Sequence, residues 1–175
     1  MAVLSPEHLL EQAERLVDAP PAGPPRQVDV RRAISSAYYA VFHHIAAAAA
    51  DEVIGKTLRQ SGRYALVYRS IDHRALRELC EGVRKSTLPA KLAPHVPSTG
   101  LGKNLPAFAT GLLELQDKRH EADYDPSIRV KTADALSAIR TARSAIRRFD
   151  STSLARRKVF LALLLFPPRR VSSTG

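Results

Sequence analysis

The chain has 175 residues, an apolar share of 45% and a formal net charge of +10, dimensions that suit one domain with a real core and are short for two. A single cysteine, Cys80, excludes an internal disulfide and a cysteine-built zinc site. The longest apolar run, Val159 to Phe166, is far below the roughly 20 residues that span a bilayer.

Ser5 reads as the N-cap of a first helix from Pro6 to Ala19, with proline at its first position and Leu9, Leu10, Ala13 and Leu16 on one face. Glu7, Glu11 and Glu14 make this segment unlike a signal peptide, and a cytoplasmic location is expected. The proline-rich run from Ala19 to Pro25 stops the helix and acts as a stiff linker. A long second helix follows from about Gln27 to Val53, with Ile34, Val41 and Ile45 in one sector, the alanine run Ala46 to Ala50 inside it and Gly55 as its stop.

Residues 64 to 85 form a third helix or two helical pieces, with Leu66, Ile71, Leu76 and Leu79 as apolar contacts, and prolines and glycines make 89 to 102 a loop. Asn104 caps a fourth helix ending at Tyr124, before Asp125-Pro126. Ser127 to Phe149 is a fifth, with Ala133, Leu136, Ile139, Ala142 and Ile146 at helical steps, and Leu154 to Phe166 suits a short extra helix. No segment alternates as a strand would. The expected fold is an all-α, antiparallel bundle of about five helices over residues 1–150, with a basic, partly disordered extension over 151–175.

Charge is placed unevenly. From Arg140 to the end, nine Lys or Arg face Asp150 alone, a local charge of +8. Such a cluster either binds polyanions or is a solvated tail.

Two polar stripes interrupt the apolar pattern. On the second helix, at 100° per residue, Ser36, Tyr39 and His43 lie at about 40°, 340° and 20° from Arg32, one line about three turns long. A cation, a hydroxyl, a phenol and an imidazole on one line suit phosphate binding and proton transfer, or alternatively an interface tyrosine between solvated neighbours. On the fourth helix Phe108, Leu112, Leu115 and Ala122 mark a core face, yet Arg119 and Asp123 fall in the same sector. They read either as a pair that fixes helix register or as a cleft-lining cation with its orienting carboxylate. His120 lies one residue aside, and Tyr124 closes the cluster.

Arg32-Ala33-Ile34-Ser35-Ser36-Ala37-Tyr38-Tyr39-Ala40-Val41-Phe42-His43 and Arg119-His120-Glu121-Ala122-Asp123-Tyr124-Asp125 resemble, in order and separation, the two signature helices of HEPN domains. The resemblance covers about residues 5 to 150. It implies a helical bundle that often forms a homodimer, whose polar helices meet at a cleft. It also implies RNA or nucleotide binding, with no cofactor and no metal. Many members of the family are metal-independent ribonucleases, some of them toxins paired with a nucleotidyltransferase antitoxin. Their signature is an Arg and a His separated by four to six residues. Here Arg119 matches the Arg, but Tyr124, Asp125 and Pro126 occupy the His positions, so catalysis stays open. For such chemistry Arg119 would be the phosphate cation, and His43 or His120 the base or acid. Arg32, Ser36, Tyr39, Asp123 and Tyr124 would shape the phosphate site. The alternative is a non-catalytic interaction or dimerisation module with a polyanion-binding tail. A weaker reading places Leu161 to Phe166 and its flanking cations on an anionic membrane surface.

Overall fold

The structure, a computed structural model, describes residues 4–18 and 23–168, and among these every regular element is helical. Seven α-helices form the bundle: α1 Pro6–Val17, α2 Gln27–Val53, α3 Gly62–Ser70, α4 His73–Val83, α5 Asn104–Tyr124, α6 Thr132–Asp150 and α7 Leu154–Leu165. The expectation of about five helices is therefore too low. None of the described helices is long and apolar enough to cross a membrane.

The extra division has a local cause. The Asp72 carboxylate accepts the amides of Arg74 and Ala75, both at 2.9 Å, and starts α4 afresh beside α3. Ser5 and Ser61 cap α1 and α3 in the same way. Of the linker expected at 19–25, residues 19–22 lie outside the described ones.

The 27-residue α2 is the central rod and packs against α1, α3, α5, α6 and α7. Between Ala33 and Phe42 every residue except Tyr39 is buried. A helix buried on all sides needs apolar or small residues all round, which the Ala-rich composition of α2 supplies. Within that stretch Tyr39 is thus the one residue that reaches the surface.

α5 buries Leu105, Phe108, Ala109, Leu112, Leu113, Leu115 and Ala122. Phe108, Phe149 and Phe160 meet with ring centroids 5.3 to 5.9 Å apart, which joins α5, α6 and α7 in one core. The chain beyond Phe149 therefore belongs to the core through Leu164, while Arg169 to Gly175 lie outside the described residues.

Three local expectations are corrected. Asn104 is the first residue of α5 rather than its cap, and its side-chain amide donates to Ser151 O at 3.1 Å. α6 begins at Thr132, not at Ser127. Gln27 captures the intervening strand of chain by accepting from Val130 N at 3.0 Å and donating to Val130 O at 2.8 Å. Arg31 donates to the carbonyls of Ala122 (2.7 Å), Asp125 (2.9 Å) and Ile128, satisfying the C-terminal turn of α5 and the segment after it. Finally, Leu66 (73% exposed), Ala133 and Leu136 face solvent, and α6 instead buries Ala135, Ala138, Ile139, Ala142, Ala145 and Phe149.

Candidate functional site

The site forms where α5 crosses the Tyr39 window of α2. Arg119 continues the apolar stripe of α5, so its side chain is carried inward and remains only 20% exposed. A guanidinium so placed must be compensated. Its Nε lies 2.7 Å from Asp123 Oδ2, an ion-pair contact without a well-aligned N–H. Its Nη2 donates to Tyr39 Oη at 2.9 Å and, more weakly, to Tyr124 Oη at 3.5 Å. Nη1 makes no hydrogen bond among the described residues. The Ser35 hydroxyl donates to the other carboxylate oxygen of Asp123, so α2 holds the partner of Arg119 from behind.

Three aromatic faces surround the cation. The guanidinium carbon is 5.4 Å from the Tyr39 and Tyr124 ring centroids and 5.9 Å from that of Tyr38. Burial alone would lower the Arg119 pKa, but Tyr39, Asp123 and Tyr124 outweigh it and raise it, so the charge is retained.

Two imidazoles complete the cluster. His43 Nδ1 is 2.7 Å from Tyr68 Oη of α3, with the two rings nearly parallel at 5.8 Å, and the imidazole also stacks on Tyr39 at 6.0 Å. His73, the first residue of α4, has Nδ1 2.7 Å from Tyr38 Oη and lies on Phe42 at 3.8 Å. Burial lowers both histidine pKa values, with a further push from each one's neighbouring charge: His73 for His43, and Arg119 for His73. Burial also raises the Tyr38 and Tyr68 phenols. At neutral pH each contact therefore joins a protonated phenol to an uncharged imidazole, and the tautomer of the ring sets which of the two donates. Beside them, the side-chain oxygen of Gln116, one turn before Arg119, is buried with no hydrogen-bond partner among the described residues.

A cleft of about 250 Å³ between α1 and α2 is lined by Leu9, Gln12, Arg32, Ser36, Tyr39 and His43. The four residues read as one line on α2 thus share one concavity, and Arg32 is exposed at its edge. Tyr39 belongs to both assemblies, since its ring lines this cleft and its hydroxyl receives Arg119. His120 is not in either. It is exposed on the outer side of α5, 5.0 Å from the Tyr124 ring.

Reading the residues alone missed Ser35, Tyr38, Tyr68 and His73 as members of the cluster. Only the packing of α3 against α2 and of α4 against α5 brings the last two in. Among the described residues no group of three His, Cys, Asp or Glu is placed to hold a metal ion. The assembled groups supply a fixed cation with one uncommitted N–H pair, neutral imidazoles able to take a proton, and aromatic faces for a base or a second side chain. No protein-family model, curated protein or solved structure matches the chain.

Proposed function

We propose that this protein is a HEPN-like module that binds RNA or another phosphate-bearing ligand at the α2–α5 site. The observation that carries the reading is Arg119. A guanidinium set on a core-facing stripe, ringed by three tyrosines and with Nη1 uncommitted, suits a phosphate oxygen arriving from the Tyr39 window. Arg32 at the edge of the neighbouring cleft adds a second cation, and Asp123 orients the first. In this reading the chain works as a cytoplasmic homodimer, as the toxin-like half of a two-gene system with a nucleotidyltransferase partner. His43 and the newly placed His73 are the candidates for proton transfer, ahead of the solvent-facing His120. The test is incubation of purified protein with total RNA in the presence of chelator, wild type against Arg119→Ala. Cleavage that disappears in a folded Arg119→Ala variant supports a ribonuclease. RNA binding without cleavage supports a binding module, and neither refutes the reading.

A second reading is favoured by the surface beside the site. Val28 (64% exposed), Tyr124 (63%) and Ile128 border a broad concavity of about 660 Å³. Apolar side chains grouped around a hollow suit a protein partner or a second copy. In that case Arg119 serves to fix Tyr124 in place, and the basic C-terminal segment alone carries polyanions. Sedimentation of the wild type against Tyr124→Ser and Val28→Ser variants separates the two readings.

A further inference from the structure

A third cleft, of about 680 Å³, lies between the C-terminal half of α2, the α6–α7 corner and the start of α1. It shares no charged residue with the Arg119 cluster or the Arg32 cleft. Its size is that of small-molecule sites. Ala47, Ala48, Phe149 and Leu161 give it apolar walls, and charged side chains ring them.

The charges around it are committed very unequally. Asp51 accepts from Arg59 Nε at 2.9 Å and from Tyr64 Oη at 3.0 Å. Glu52 pairs with Lys158 of α7 at 3.0 Å, and Asp150 with His44 Nε2 at 2.8 Å. Each carboxylate thus has its own partner. Two cations lining the cleft do not: Lys56, just after α2, and Arg157, on α7, make no ion pair among the described residues. An anion placed between them would gain two charge-assisted contacts without breaking an existing pair. A cation would meet carboxylates that already have partners and two cations outside any direct ion pair, and a purely apolar molecule would leave both cations as they are.

We propose that this cleft is a binding site for a small amphipathic anion, a molecule with an apolar chain or ring and one carboxylate or phosphate. The apolar part lies on Ala47, Ala48, Phe149 and Leu161, and the anionic group sits between Lys56 and Arg157. The proposal is independent of the function assigned to Arg119.

The test is an amide NMR titration of the full chain with octyl phosphate and with octanoate, both below micelle formation, and with 1-octanol as the uncharged control. The expected result is saturable single-site binding of at least one anion, with shifts centred on Ala47, Ala48 and Leu161. Octanol should bind about tenfold or more weakly, and Lys56→Gln/Arg157→Gln should lose about tenfold or more while keeping its melting temperature. Which anion binds more tightly identifies the headgroup. If the double variant loses its fold, Lys56→Gln alone carries the comparison, because Lys56 is exposed. The proposal is overturned if neither anion saturates, if octanol binds as tightly as they do, if removing the cations leaves affinity unchanged, or if the shifts fall around Tyr39 and Arg119.

Discussion

Replacing Asp123 with Asn keeps the shape of the side chain and removes the one carboxylate that pairs with Arg119 among the described residues. The cost follows from how well water can replace it. The two side chains are 20% and 26% exposed, between the surface limit, where such a pair is worth at most about 1 kcal/mol, and full burial, where losing one partner costs about 3–5 kcal/mol. Arg119 is the worse placed of the two, since its remaining neighbours are phenols. Ser35 loses a charged acceptor but has Arg31 O at 3.3 Å as a substitute. We expect Asp123→Asn to destabilise the fold by about 2 kcal/mol. With a urea m-value of about 2 kcal/mol/M for a chain of this size, the unfolding midpoint falls by about 1 M, read by far-UV circular dichroism. In an Arg119→Gln background the same change should cost little, because no cation is then stranded. A midpoint that moves by less than about 0.2 M in the wild-type background means that Arg119 is hydrated, and the compensation argument fails.

Burial holds the folded-state pKa values of His43 and His73 below the ordinary 6.5. Below about pH 6.5 the unfolded chain takes up protons that the folded chain refuses, so stability is full above that value and declines as the pH falls toward the folded pKa values. Urea midpoints at neutral and mildly acidic pH should show this decline, and His43→Gln with His73→Gln should flatten it; an unchanged slope refutes it. Arg31→Met should cost about 3 kcal/mol, because three carbonyls at the end of α5 and in the segment after it lose a charged donor, with faster amide exchange around Val130 as the local signature. Phe160→Ala should cost about 3–5 kcal/mol, since Phe160 is fully buried against Phe108 and Phe149; a cost below about 1 kcal/mol would mean that α7 is not part of the core.

The helices whose ends are set by nearby residues were legible in the sequence. Ser5-Pro6 opens α1, the absence of Gly and Pro from Gln27 to Val53 lets α2 run unbroken, and Asp125-Pro126 closes α5. The start of α6 was misplaced although local signals for it exist: Asp125 accepts from the Ser127 amide in a turn, and Asp134 accepts the Lys131 amide at 2.9 Å. What the local sequence does not encode is the hold on Ile128 and Val130 by Arg31 and Gln27, about 100 positions earlier in the chain. Leu66 and Leu136 fitted helical spacing, yet spacing gives the period of a face and not which side the neighbouring helix covers. The inward placement of Arg119 was readable because it interrupts an apolar stripe on its own helix, with Asp123 one turn on as its more exposed partner. His73 and Tyr68 were not, because they reach the cluster only through tertiary packing, and no spacing within one helix encodes that.

The account rests on the Arg119 guanidinium meeting a phosphate. Fluorescence anisotropy with a labelled single-stranded RNA at fixed salt tests this directly, comparing wild type with Arg119→Gln after circular dichroism has shown both to be folded. Removing this contact should lower the affinity about tenfold to a hundredfold, as expected for one charged hydrogen-bonding contact. Equal affinities would contradict it and assign any RNA binding to the basic C-terminal segment instead.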